Sequence, residues 1–207
     1  MESGDKRTSQ HDENEESTGL GSLLFPGRLV ETILMGEVSI CVADADKIKF
    51  IAQADRSLAE VLSILYLYLP NANYSEGLGM VSYKQNQRLA TVFSTGKISM
   101  TYVKDKQEAE RLVEELRGLI NRAITYHIIH GSPDPKLIDV KRKLSVKTVY
   151  DNLPRTNCKE CGEDNCYAFA IRLTNGDQSL DSCKPLLSTS NIGKATLLRN
   201  TMQPIRI

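Results

Sequence analysis

The sequence predicts an α+β protein: a curved antiparallel sheet with two helices on one face, joined to a small, mainly helical second unit. Three observations predict it. Apolar and small polar residues alternate with period two from Val38 to Val42. An apolar stripe of helical period runs from Ala109 to Ile120. Four of the five cysteines lie between Cys158 and Cys183, beyond the region that carries most of the aliphatic residues.

The elements follow in chain order. Val38, Ile40 and Val42 make one strand, and Lys47 to Gln53 a second after a turn at Asp44-Ala45-Asp46. Ser57-Leu58-Ala59-Glu60 has the capping-box pattern, and Val61, Leu62, Leu65 and Leu69 fall on one helical face that Pro70 ends. Three short strands are expected near 79–84, 88–94 and 97–103, with turns at Gln85-Asn86-Gln87 and Thr95-Gly96. Asp105 and Glu108 open a second helix, whose Ala109, Leu112, Val113, Leu116, Leu119 and Ile120 line one face. Packing both helices on one side of the sheet gives a two-layer unit.

Composition narrows the function. The chain has 207 residues, 41% of them apolar, with Lys+Arg and Asp+Glu both 26. Zero net charge argues against a chain devoted to non-specific electrostatic binding of nucleic acid. No apolar run reaches the ~18 residues of a spanning helix, and the polar N-terminus has no secretory-signal pattern, so the expectation is a soluble, cytoplasmic protein with no membrane partner. Residues 1–20 hold six acids, two bases and many small polar residues, including His11, the composition of a disordered tail. Residues 28–130 balance twelve acids with twelve bases. Residues 131–150 carry five bases (Lys136, Lys141, Arg142, Lys143 and Lys147) against two acids, after Gly131-Ser132-Pro133-Asp134-Pro135. The expected division is a tail at 1–27, a first unit at 28–130, a basic linker at 131–148 and a cysteine unit at 149–207.

The wording of the first unit is recognisable. Asn71-Ala72-Asn73-Tyr74-Ser75-Glu76-Gly77-Leu78-Gly79-Met80-Val81, Ala90-Thr91-Val92-Phe93-Ser94-Thr95-Gly96-Lys97-Ile98 and Lys106-Gln107-Glu108-Ala109-Glu110 resemble one repeat of the TATA-box-binding protein family. The resemblance covers residues 48–128 and a single copy, whereas the family's saddle is built from two. It implies a half-saddle that dimerises or pairs with another chain. It also implies a concave face that, in the family, reads the minor groove with Phe wedges. Phe93 matches a wedge position and Lys97 a phosphate-side lysine, with Arg88 and Lys84 as further candidate contacts. The second wedge position falls at Gly77, and the family's base-contacting Asn near Lys49. Since the unit is neutral and these residues are missing, packing against a partner or a helix is preferred for Leu89, Thr91 and Phe93, with DNA the alternative.

Cys158, Cys161, Cys166 and Cys183 supply four thiolates, the complement of a [4Fe–4S] cluster. Three are close together and the fourth is distant, whereas structural zinc usually takes two close pairs. The spacing favours iron–sulfur, with zinc as the alternative. Gly162 allows a positive φ, and Cys166 opens a helix that Asn175-Gly176 stops. A helix N-terminus suits an anionic cluster. Cys41, on an alternating strand, reads as a small buried hydrophobe. His127 and His130 read as surface residues at a helix end.

Tyr150-Asp151-Asn152-Leu153-Pro154-Arg155-Thr156-Asn157-Cys158-Lys159-Glu160-Cys161-Gly162-Glu163-Asp164-Asn165-Cys166-Tyr167-Ala168-Phe169-Ala170, with Cys183-Lys184-Pro185-Leu186, resembles the four-cysteine iron–sulfur domain shared by two proteins. These are the corrinoid iron–sulfur protein large subunit and the Rnf electron-transport complex B subunit. That resemblance implies one [4Fe–4S] cluster held by the same four cysteines, and with the first it points to an anaerobic archaeon. Nothing resembles a corrinoid-binding barrel. No phosphate loop, Ser/His/Asp grouping or paired carboxylates stands out, so no catalytic residue is assigned. The expected function is electron transfer or redox accessory work in anaerobic, corrinoid or methanogenic metabolism, with a redox partner protein and a homodimer through the half-saddle. A redox-responsive DNA-binding regulator is the alternative.

Overall fold

The first alternating stretch closes into a long hairpin, β1 (Ile33–Cys41) against β2 (Asp44–Ala54). The computed structural model describes residues 27–85 and 87–207; the expected tail, His11 and Asn86 lie outside them. The hairpin turns at Val42-Ala43 rather than at Asp44-Ala45-Asp46, because Asp44 already pairs with Cys41. The Asp44 carboxylate accepts from the Asp46 backbone N–H at 3.0 Å, a local bond that β2 accommodates.

Four more strands follow: β3 (Ala72–Ser75), β4 (Met80–Gln85), β5 (Arg88–Phe93) and β6 (Lys97–Val103). They complete a six-stranded antiparallel sheet of order β1-β2-β6-β5-β4-β3. Period two then sorts the faces. Phe50, Ala52, Val81, Ala90, Val92, Ile98 and Met100 are buried on one side. Their neighbours Lys49, Ile51 and Gln53, Lys97, Ser99 and Thr101, Leu89, Thr91 and Phe93, and Met80 and Ser82 project from the other.

The buried side is covered by α1 (Leu62–Tyr68), entered through a 3₁₀ turn at Ala59–Val61, and by α2 (Lys106–His130). The capping box does not close at Ser57. Its hydroxyl donates to the Ser94 carbonyl at 2.8 Å, and Glu60 pairs with Arg56 instead. Asp105 does cap α2, its carboxylate accepting from the Glu108 N–H at 2.8 Å. The six stripe residues from Ala109 to Ile120 are all buried, joined by Ala123 and Ile124.

Within the basic stretch, α3 (Pro135–Arg142) packs Leu137 and Ile138 on this core. Lys141, only 4% exposed, donates to the carbonyls of Tyr66 (2.6 Å), Leu67 (3.5 Å) and Leu69 (2.5 Å). These belong to the last turn of α1, whose carbonyls have no partner within the helix. Burial pushes the Lys141 pKa down to about 7.

The cysteine unit has its own core of Val149, Leu153, Phe169, Leu173, Leu186, Leu198 and neighbours. It comprises α4 (Val146–Asp151), α5 (Cys166–Asn175) and α6 (Ile192–Met202) with two 3₁₀ turns. The chain then returns, and Ile205 is buried in the first core. Gly176, at φ +80°, sits against the sheet unit: a Cβ there would lie 2.8 Å from Asn71 Nδ2 and 3.0 Å from the Lys84 carbonyl oxygen. No helix among the described residues is long and apolar enough to cross a membrane.

Candidate metal centre

The four cysteines come from three local devices. Cys158 and Cys161 lie on the loop before α5, Cys166 is the first residue of α5, and Cys183 follows the 3₁₀ turn Leu180–Ser182. All four are free thiols lining one small cavity, with Phe169 and Pro185 as apolar wall. Cys166 and Cys183 are buried, Cys161 is half-buried and Cys158 is exposed, so the site is open on the Cys158 side. Burial pushes the Cys183 thiol pKa up, and the three neighbouring thiols add to this. Among the described residues, no group of three or more His, Cys, Asp or Glu side chains is placed to hold a single metal ion.

The loop is conformationally specialised. Arg155, Asn157 and Lys159 have φ of 58°, 49° and 63°, and Gly162 has 84°. Bulky residues in the left-handed region cost of order 1–3 kcal/mol each and persist where the surroundings hold them. Asn157 is one such hold. Its side-chain Oδ1 accepts from the Cys166 N–H at 2.9 Å, and its own N–H donates to Cys166 Sγ at 3.4 Å. Asn165 caps α5 by accepting from the Ala168 N–H at 2.8 Å, aiming the helix N-terminus at the cavity. Gln178 donates to the Cys161 carbonyl (3.3 Å) and to Glu163 Oε1 (3.0 Å), fastening the far side of the loop.

Soft thiolates and the helix N-terminus at Cys166 fit an anionic iron–sulfur group. Sequence reasoning finds all four thiols but not Asn157 or Gln178. An Asn just before a cysteine is an available signal for the first. Gln178 carries none, because its partners are brought near only by folding.

The other candidate contacts are not gathered. Phe93 and Lys97 are together on the open sheet face, with Lys97 Nζ 5.9 Å from the ring centroid. Arg88 lies on the side of buried Ala90 and Val92, paired with Glu108 at 2.5 Å. Lys84 is tied to Asp177 of the cysteine unit at 2.7 Å.

Residues 153–185 match a family model described as "Putative Fe-S cluster". The chain is 42% identical over 53 residues to the acetyl-CoA decarbonylase/synthase complex subunit gamma of Methanocaldococcus jannaschii, covering 26% of this chain and 11% of that protein. It is 54% identical over 35 residues to the corrinoid/iron-sulfur protein large subunit of Moorella thermoacetica, covering 17% and 8%. The gamma subunit of Archaeoglobus fulgidus is 49% identical over 39 residues, 19% of this chain and 8% of the relative. The chain thus spans about a tenth of the length of these relatives. No solved structure matches. The family match and the relatives support an iron–sulfur cofactor.

Proposed function

We propose that the chain binds one [4Fe–4S] cluster through Cys158, Cys161, Cys166 and Cys183. In this reading it works as an electron carrier or redox accessory in anaerobic one-carbon metabolism, with a protein redox partner. The observation that carries the reading is four free thiols lining one cavity, within a segment that matches the family model described as "Putative Fe-S cluster". The cluster supplies one-electron transfer when bound. The chain's part is to hold it: Asn157 fixes Cys166, Gln178 fixes the Cys161 peptide, and Phe169 and Pro185 keep water from the buried side. Exposed Cys158 marks the edge nearest to solvent, where a partner would approach. Four protein ligands leave no iron open to a substrate, so the assignment is a carrier rather than an enzyme.

The half-saddle serves as a dimerisation or docking module in this reading, the segment 1–27 as a tail, and 149–207 as the cluster unit. The test is anaerobic purification with iron and sulfide analysis and EPR before and after dithionite. About four irons and four sulfides per chain, with a reduced-cluster signal, is the expected result. Stoichiometric zinc without sulfide refutes it.

A second reading, a redox-responsive DNA-binding regulator working as a dimer, is favoured by one observation. The open sheet face carries Lys49, Lys97 and Phe93 and no carboxylate among the residues that β2, β4, β5 and β6 project there. It requires steeply salt-dependent retention on A·T-rich duplex that Phe93→Ala abolishes.

A further inference from the structure

Beside the cysteine loop, α4 and α5 carry an aromatic patch at the surface. The rings of Tyr150 and Tyr167 meet edge to face with centroids 5.4 Å apart. The Arg155 guanidinium lies 5.9 Å from the Tyr150 ring centroid. Tyr167 is 51% exposed, and Ile171, one helical turn further on, is 39% exposed. Neither packs into the core of the cysteine unit, so burial does not account for them. The patch adjoins the thiols directly. Tyr167 follows Cys166, whose N–H donates to Asn157, and Asn157 lies between Arg155 and Cys158 in the chain. Tyr and Arg are among the residues that most often dominate the binding energy of protein interfaces.

The charges around the site are unevenly paired. Between Lys143 and Lys159 the chain has four bases and one acid. That acid, Asp151, is taken by Lys147 at 2.6 Å. Beyond Cys161, Glu163 accepts from Gln178 and faces Arg172 at 3.5 Å. Lys143, Arg155, Lys159 and Lys184 have no carboxylate partner among the described residues, and on the acidic side only Glu160 and Asp164 of this loop are left unpaired among them. A thiolate-bound cluster adds negative charge at the centre, and an excess of bases around it is what lets an acidic protein come close.

We infer that this face docks a redox protein whose own centre is ringed by acidic residues, with Tyr167, Tyr150 and Arg155 as the anchor and the unpaired bases as steering charges. The inference rests on the cluster reading above and adds to it the face used and the charge of the partner. One electron leaves the reduced cluster, which returns to its oxidised state, and enters the partner's acceptor; no bond in this chain is made or broken.

The test mixes the full chain, cluster-loaded and reduced, with oxidised flavodoxin as the acidic probe or cytochrome c as the basic one, in an anaerobic stopped-flow cell. Iron content and the reduced-cluster EPR signal are measured first on every variant, and absence of the cluster refutes the reading on which the inference rests. The second-order rate to flavodoxin should fall at least tenfold between about 20 mM and about 500 mM salt, while the rate to cytochrome c should not fall. At low salt Arg155→Glu should slow transfer to flavodoxin about tenfold, a loss that high salt removes. Tyr167→Ala should slow it by a similar factor at both salt concentrations, because its contact is not electrostatic. Lys106→Glu, the same change of charge on the sheet unit, should leave the rate within about twofold. Where Arg155→Glu holds less iron, Arg155→Gln gives the same comparison with half the change of charge. With iron content intact, a flavodoxin rate indifferent to salt, an equal loss in Lys106→Glu, or unchanged rates in the Arg155 and Tyr167 variants overturns the inference.

Discussion

Replacing Asn157 separates two contributions that its position combines. The residue has φ of 49°, and its carboxamide accepts from the N–H of buried Cys166 at 2.9 Å. Asn157→Ala leaves that N–H unpaired, at about 1–3 kcal/mol, and puts an ordinary Cβ in the left-handed region, at about 1–2 kcal/mol. The two together come to about 2–5 kcal/mol of loop stability. Asn157→Gly loses the same hydrogen bond but is at ease at positive φ, so it suffers about 1 kcal/mol less. Where opening of this loop limits metal release, 1 kcal/mol is about fivefold in rate. The assay is anaerobic loss of visible absorbance in excess chelator. The expected order is Asn157→Ala fastest, Asn157→Gly about fivefold slower and wild type slowest. If Asn157→Gly loses its chromophore as fast as Asn157→Ala, the backbone argument fails. If both match wild type, the hydrogen-bond argument fails as well.

Other expectations follow from the same contacts. Cys166→Ser and Cys183→Ser should each reduce bound iron to well below half of wild type by direct analysis, because a hydroxyl is a poor soft ligand and both sulfurs are buried. Gly176→Ala should destabilise the chain by about 1–3 kcal/mol in urea unfolding, since the new Cβ meets the Lys84 carbonyl oxygen at 3.0 Å at a φ of +80°. Lys141 has a folded pKa of about 7 against an ordinary 10.5. Between those values the unfolded chain holds a proton that the folded chain does not, so stability rises with pH across the window, by at most about 1.4 kcal/mol per unit. The three carbonyl acceptors favour the charged amine and reduce that slope. Lys141→Met should lose the rise, and parallel pH–stability curves for the two proteins would contradict the assignment.

Legibility in the sequence tracked how local the determining physics is. The second helix of the sheet unit and the helix opened by Cys166 were readable because cap, periodicity and stop residue sit within one segment, as Asp105 and Gly176 illustrate. The strand Ala72–Ser75 carries little signal of its own, because Ala72 and Tyr74 alternate with Asn73 and Ser75 over only four residues; it exists by pairing with Met80–Tyr83. Val42, 92% exposed, made the first hairpin's turn look like strand. Ser57 and Glu60 match a capping box in sequence, yet each finds a better partner, Ser94 and Arg56. Lys141 is indistinguishable by sequence from its solvated neighbours, because what buries it is the end of a helix about seventy positions earlier. That the four thiols gather on one cavity was legible because three of them lie within nine residues; Gln178, which bonds the Cys161 carbonyl, lies seventeen positions away and carries no such signal.

The return of the chain to the first core has a consequence for what happens when the metal site is empty. The cysteine unit is flanked on one side by α3, which packs on the sheet unit, and on the other by the strap ending at buried Ile205. It is an excursion moored at both ends, not a pendant. A segment that unravels between two moorings stays a closed loop, and loop-closure entropy grows only slowly with its length. Its thiols remain near one another at high effective concentration while iron is lost and regained. Cutting either mooring, for example by Ile205→Asp, should therefore slow reassembly of the metal site while leaving the thiols chemically intact.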